Sequence, residues 1–139
     1  MTHALWWGLC LMLGYALSSC GHQLATDRPA PVRTIQILNV VTPDRLYAKP
    51  GEEIRWQNLR SNSVRVGFLT MRMLDELACE KGVTTFWGSP NDLVTISPGG
   101  SISLCFKRPG VLQYNVWFDP DNPKGPISPM AAVDVEAGA

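Results

Sequence analysis

Few residues of this 139-residue chain could bind a soft metal or act as nucleophiles: four cysteines, five methionines and two histidines. Met71 and Met73 form a Met-x-Met pair, and thioethers favour Cu(I), with Met130 or His22 as a further donor. Against this, Met71 also fits the apolar side of a short helix, and methionine is a common gap filler. Cys79 and Cys105 are spaced neither as a Cys-x-x-Cys redox motif nor as a zinc ribbon, so a disulfide, a reactive thiol pair and two metal ligands stand as alternatives. Both histidines, His3 and His22, precede the globular part, which excludes a Ser–His or Cys–His nucleophile from that part. Asp75 and Glu76 read as a solvated face. Asp119 and Asp121 could meet Ca²⁺ but lack further ligand spacing. With no glycine-rich phosphate cradle either, the expectation is a protein that is not an enzyme and carries no cofactor.

The elements that position these residues are short strands. Ser97–Pro98–Gly99–Gly100 and Pro109–Gly110 are turn signals, because proline presets φ and glycine accepts positive φ. Between them Ile102, Leu104 and Phe106 alternate with Ser101, Ser103 and Cys105. Beyond them Leu112, Tyr114, Val116 and Phe118 share a face, so the pattern predicts a β-hairpin. Further strands are expected over 32–41, 46–48, 52–58, 64–68, 93–96 and 130–136. A short strand or an irregular loop is expected at 83–87, and a four-proline loop over 119–129. Met71, Leu74, Leu77 and Ala78 fall at helical spacing, which predicts one short helical insertion around residues 71–79. Eleven prolines, twelve glycines and only 17 % charged residues suit an all-β sandwich or barrel. Lys plus Arg equal Asp plus Glu at twelve each, so bulk charge supplies no attraction to nucleic acid.

Met1 to Ser19 contains no acidic residue, lysine or arginine. Its apolar run from Ala4 to Leu17 is short for a permanent span and reads as a secretory signal. Leu17–Ser18–Ser19–Cys20 resembles the bacterial lipobox, although Met1–Thr2–His3 lacks the usual basic residue. The resemblance implies cleavage before Cys20, a diacylglyceryl thioether on its sulfur and an acylated amine. Several acyl chains, at roughly 0.8 kcal/mol per buried CH₂, make a stable anchor. The expected organisation is a lipoprotein signal peptide over 1–19, the lipidated Cys20 with a tether over 20–31, and one domain over 32–139. Export makes the Cys79–Cys105 disulfide the default among the alternatives. The expected location is the bacterial cell envelope, facing periplasm or exterior. Gly21–His22–Gln23 lacks the aspartate associated with inner-membrane retention, which favours the outer membrane.

Lys49–Pro50–Gly51–Glu52–Glu53–Ile54–Arg55–Trp56–Gln57–Asn58 resembles the Pro-Gly-acidic-x-apolar-x-Trp-x-Asn segment of cupredoxins. Ser97 to Phe106, Pro109–Gly110 and Tyr114 resemble their Pro-Gly-x-Ser, Phe, Pro-Gly and Tyr pattern, and 130–135 resembles their closing strand. The resemblance implies a Greek-key β-sandwich, with the segment 71–87 as an insertion. It also implies where a type 1 copper site would sit, and that site needs two His, one Cys and usually an axial Met. Ser63 or Val64 stands at the first His position and Val116 at the Cys position. No His occurs between Phe118 and Pro129, and Met130 alone matches the axial ligand. The leading expectation is a metal-free cupredoxin-like module that binds an envelope protein partner, with Trp117 and Trp87 as candidate contacts. The alternative is a Cu(I)-handling protein that uses Met71 and Met73.

Overall fold

The computed structural model describes residues 29–83, 85–86, 89–90, 93–122 and 124–138. The predicted signal, Cys20, His22 and Trp87 lie outside them.

Twelve strands and one 3₁₀ turn follow in order. They are β1 Val32–Ile37, β2 Val41–Thr42, β3 Arg45–Ala48, β4 Glu53–Asn58, β5 Val64–Phe68, the 3₁₀ turn Met71–Met73, and β6 Leu77–Lys81. Then come β7 Thr85–Phe86, β8 Ser89–Pro90, β9 Leu93–Ile96, β10 Ser101–Phe106, β11 Gly110–Trp117 and β12 Ala131–Val135. Among the described residues β7 and β8 form a two-stranded sheet of their own. The remaining strands form two five-stranded sheets, in the orders β2-β1-β4-β10-β6 and β3-β12-β11-β5-β9. Most sequence neighbours therefore change sheet, as Greek-key connections do, and the expected all-β sandwich is the architecture found.

Period-two alternation explains why the sheets face each other. Ile35, Ile37, Ile54, Trp56, Ile102, Leu104 and Phe106 point in from the first sheet; Val64, Val66, Leu112, Tyr114, Val116 and Val133 point in from the second. At the centre the Trp56 ring meets Phe68 at 5.5 Å and Tyr114 at 5.6 Å, both edge to face. Burial pushes the Tyr114 phenol pKa well up, so the ring stays neutral in the core.

Two expectations change, and a third, the short helical insertion, holds within narrower bounds. β10 and β11 do not form a hairpin: Lys107–Pro109 carries the chain from one sheet to the other. Both runs are apolar on one face, and packing across the sandwich buries those faces as a hairpin alone would not. The predicted first strand over 32–41 breaks after Ile37, and β2 folds back on β1 with Ile37 opposite Val41. The helical insertion is shorter than 71–79. It closes after one turn, with the Leu74 amide donating to the Met71 carbonyl, and β6 takes over at Leu77. One helical turn gains little by itself. Pairing with β10, with Leu77 opposite Phe106 and Cys79 opposite Cys105, gains a ladder and apolar contact. The turns at 49–52 and 97–100 form as read, with Gly51 at φ +85° and Gly99 at φ +69° after a proline, the type II arrangement.

The outer face of the first sheet is held by polar contacts. Cys79 and Cys105 are bonded, with Cα atoms 4.8 Å apart. Beside them the Glu53 carboxylate accepts from Ser103 Oγ at 2.8 Å, Arg55 Nη2 at 2.8 Å and Lys81 Nζ at 2.9 Å. The Lys81 ammonium, the Arg55 guanidinium and the Ser103 hydroxyl hold the Glu53 pKa down at about 2, against 4.5 ordinarily. Because the folded value is the lower one, the stabilisation is present above about pH 4.5 and is lost as pH falls towards 2. The Arg55 side chain is 40 % and that of Lys81 65 % exposed, so water screens both and the loss is on the order of 1 kcal/mol. Urea unfolding should show this fall, and the Glu53→Gln protein should lack this share of it. Replacing both Cys79 and Cys105 by Ser, which opens a loop of 26 residues, should cost about 3.5 kcal/mol in the same assay.

Candidate functional site

β1 and β4 run parallel and finish together, with Ile37 opposite Asn58. β11 ends and β12 begins at this same end of the sandwich, called here the upper end. The loops after β1, β4, β9 and β11 gather there.

Asn58 organises the first of them. Fully buried, it donates from Nδ2 to the carbonyls of Asn62 (2.9 Å), Ile96 (3.0 Å) and Ser97 (3.1 Å), and its Oδ1 accepts from the Arg60 amide at 3.0 Å. Arg60 is thereby turned across the end. Its Nη1 donates to the Leu38 carbonyl (2.9 Å) and to Asn39 Oδ1 (3.1 Å), and its guanidinium carbon lies 5.1 Å from the centre of the Phe118 ring. One cationic side chain so ties three loops, with a cation–π contact at one of them. Ser128 anchors the proline-rich loop: its Oγ accepts from the Val116 amide at 2.9 Å and donates to the Pro129 carbonyl at 2.8 Å.

The positions that the cupredoxin resemblance marks for copper fall at this end. Val64 and Val116 are fully buried and aliphatic, Phe118 is nearly buried, and Met130 is mostly exposed. A carbon-lined end with a fixed guanidinium does not fit a copper ion, because it offers neither thiolate nor imidazole and adds a positive charge. Among the described residues no group of three or more His, Cys, Asp or Glu is placed to hold a metal.

The Met-x-Met pair is not a joined site. In a 3₁₀ turn, side chains two residues apart diverge. Met71 is exposed, whereas Met73 packs down on Gly110, where a β-carbon would overlap its sulfur. Met130 lies beyond the Tyr114–Ala131 pair, on the order of 15 Å further along β11 from Gly110.

What the upper end does offer is apolar surface. Leu38, Val40, Leu59, Ile127 and Met130 are each between 40 and 64 % exposed. From Val40 an open groove of about 540 Å³ runs along Val41, Pro43 and Asp44 to Pro129 and Ala131. Trp117, the predicted contact, bridges backbone to backbone with Ile127 and sits half-buried on the outer face of the second sheet. Sequence reasoning missed Arg60, which carries no local signal. Asn58 was visible in the Trp-x-Asn segment, but its role as a loop anchor depends on carbonyls 38 and 39 residues away.

Among the described residues no helix is long and apolar enough to cross a membrane. No protein-family model and no curated protein matches the chain. Solved structures similar to it include amicyanins. A reduced proline variant is 19 % identical over 76 % of this chain and 82 % of that chain, with a TM-score of 0.49. A copper(I) methionine variant is 17 % identical over 79 % and 95 %, with a TM-score of 0.48. At these identities no side-chain role carries over.

Replacing Arg60 by Met keeps the stem but removes the charge and its hydrogen bonds. The variant should lose about 1–2 kcal/mol by chemical denaturation, with faster amide exchange confined to the loops at 38–40, 58–62 and 118–128.

Proposed function

We propose that this chain is a lipid-anchored lipoprotein of the bacterial envelope whose metal-free, cupredoxin-like sandwich captures a partner protein at its upper end. The observation that carries the reading is the apolar rim formed by Leu38, Val40, Leu59, Ile127 and Met130 around the closed Arg60–Phe118 end. These five are nearly half of the eleven large apolar side chains exposed among the described residues, and an apolar patch of this kind marks an interaction surface.

The direction of the chain supports it. The anchor would be Cys20, and the tether would join the domain at Val32, which pairs with Glu53 at the lower end of the sandwich. β1 then runs its six residues, roughly 20 Å, to the upper end. The rim would point away from the lipid, towards whatever lies across the periplasm or outside the cell. The outer membrane is the favoured location, on the residues that follow Cys20.

The proposed role is non-catalytic and involves no cofactor: among the described residues the upper end holds no nucleophile–base pair, and its Arg60 is engaged in loop anchoring. Specificity would come from the shape of the groove between Val40 and Pro129, with Asp44 as its charged group.

Two experiments test the parts separately. Cys20→Ala should move the chain from the membrane to the soluble fraction; an unchanged membrane fraction would contradict the anchor. Crosslinking of the full chain in intact envelopes should give a discrete partner band that Val40→Asp and Met130→Asp together abolish. Both side chains are mostly exposed, so folding should change by less than about 0.5 kcal/mol. A band that survives the double change would contradict the rim as the docking surface.

A further inference from the structure

The outer face of the second sheet carries a recess that shares no lining residue with the groove between Val40 and Pro129. Arg65 stands between Trp117 on β11 and Thr95 on β9, and Gly67 stands opposite Leu93. A glycine in a strand interior weakens it, and often marks a place where something approaches the backbone closely. Here that is Trp117: a β-carbon at Gly67 would overlap the indole ring and crowd Leu93 Cδ2. The ring is therefore seated on bare backbone, with little freedom left to lose on binding. Leu93, half exposed, and Pro120 form the sides, Arg65 and Asn122 supply planar polar groups, and the volume is about 230 Å³.

Among the described residues the fold makes little use of the polar groups. Arg65 makes no ion pair among the described residues; its one side-chain hydrogen bond there is a long one, 3.5 Å to Thr95 Oγ1. Asn122 accepts from the Lys124 amide at Oδ1, and its side-chain NH₂ has no partner among the described residues.

We infer that this recess is a subsite for a single sugar ring bearing a carboxylate. An immobilised indole offers a flat apolar surface to the C–H face of a pyranose. A guanidinium and an amide beside it can each pair with two neighbouring oxygens, and the guanidinium matches a carboxylate in both geometry and charge. The size admits one ring. A proline-rich peptide is the competing ligand for an aromatic groove. It wants a longer run of aromatic ridges, whereas among the described residues this recess has one aromatic ring and a cation with no ion-pair partner.

The test follows the Trp117 indole N–H resonance of the full-length chain by NMR, assigned through Trp117→Phe. Glucuronate, glucose and a proline-rich peptide are titrated in turn. Glucuronate should shift the resonance saturably, with Kd of about 1–10 mM, as suits one small contact. Glucose should bind about fivefold or more weakly. Arg65→Gln should erase that preference without touching glucose binding, and Gly67→Ala, which displaces the ring, should weaken both sugars. A tetramer of the acid that binds more tightly than its four rings account for would mark an acidic polysaccharide as the source, and one that does not would mark a free sugar acid. A resonance that neither sugar moves, equal response to both sugars, an inert Arg65→Gln, or a shift by the peptide alone would each overturn the inference. The Val40 and Met130 changes lie outside the recess and should leave the titration unaltered, so its outcome stands apart from the docking result.

Discussion

The burial of Trp56 between two sheets is the constraint that the rest of the structure depends on. Its ring meets Phe68 and Tyr114 edge to face, and the three aromatics set the thickness of the sandwich. Removing such a side chain costs about 3–5 kcal/mol, a large part of the margin of a domain this size. β4 carries Trp56 and Asn58 on one strand face, so the residue that fixes the core also delivers the anchor of the upper loops. A shift of β4 by one residue would turn both outward and leave three carbonyls without their shared donor.

The alternation of apolar residues made the strands legible, and the proline–glycine pairs made the turns legible. Both are local signals. The partnering of strands was not local. Ile102, Leu104 and Phe106, and then Leu112, Tyr114 and Val116, read as the two arms of a hairpin because only a short turn separates them. Their apolar faces are buried equally well across the sandwich, and the alternation contains no term that separates the two solutions. The short helical insertion forms as one 3₁₀ turn, and its far bound was illegible for a related reason: Leu74, Leu77 and Ala78 satisfy a helical period, and only the distant β10, through Cys105 and Phe106, turns Leu77 onwards into a strand.

At the upper end the sequence made clear which donors were missing, not what replaced them. Val64 and Val116 could be read directly. Arg60 could not, since its meaning lies in Leu38, Asn39 and Phe118, which are far from it along the chain. The result is an end in which one side chain gathers the loops through hydrogen bonds and an aromatic face. Such an end needs no ion for its cohesion. It leaves the neighbouring apolar side chains exposed, and under the proposed anchoring the entry of the chain at the lower end would turn that surface outward.

The most direct measurement is a titration of the full chain, its disulfide intact, with Cu(I) and Cu(II) separately, recording absorption and melting temperature at each step. A closed Arg60–Phe118 end predicts no stoichiometric uptake of either ion, no intense thiolate-to-copper band and an unmoved melting temperature. Stoichiometric Cu(I) binding that raises the melting temperature and disappears when Met71 and Met73 are changed would contradict the account. It would place the chemistry of this chain at the 3₁₀ turn rather than at the upper end.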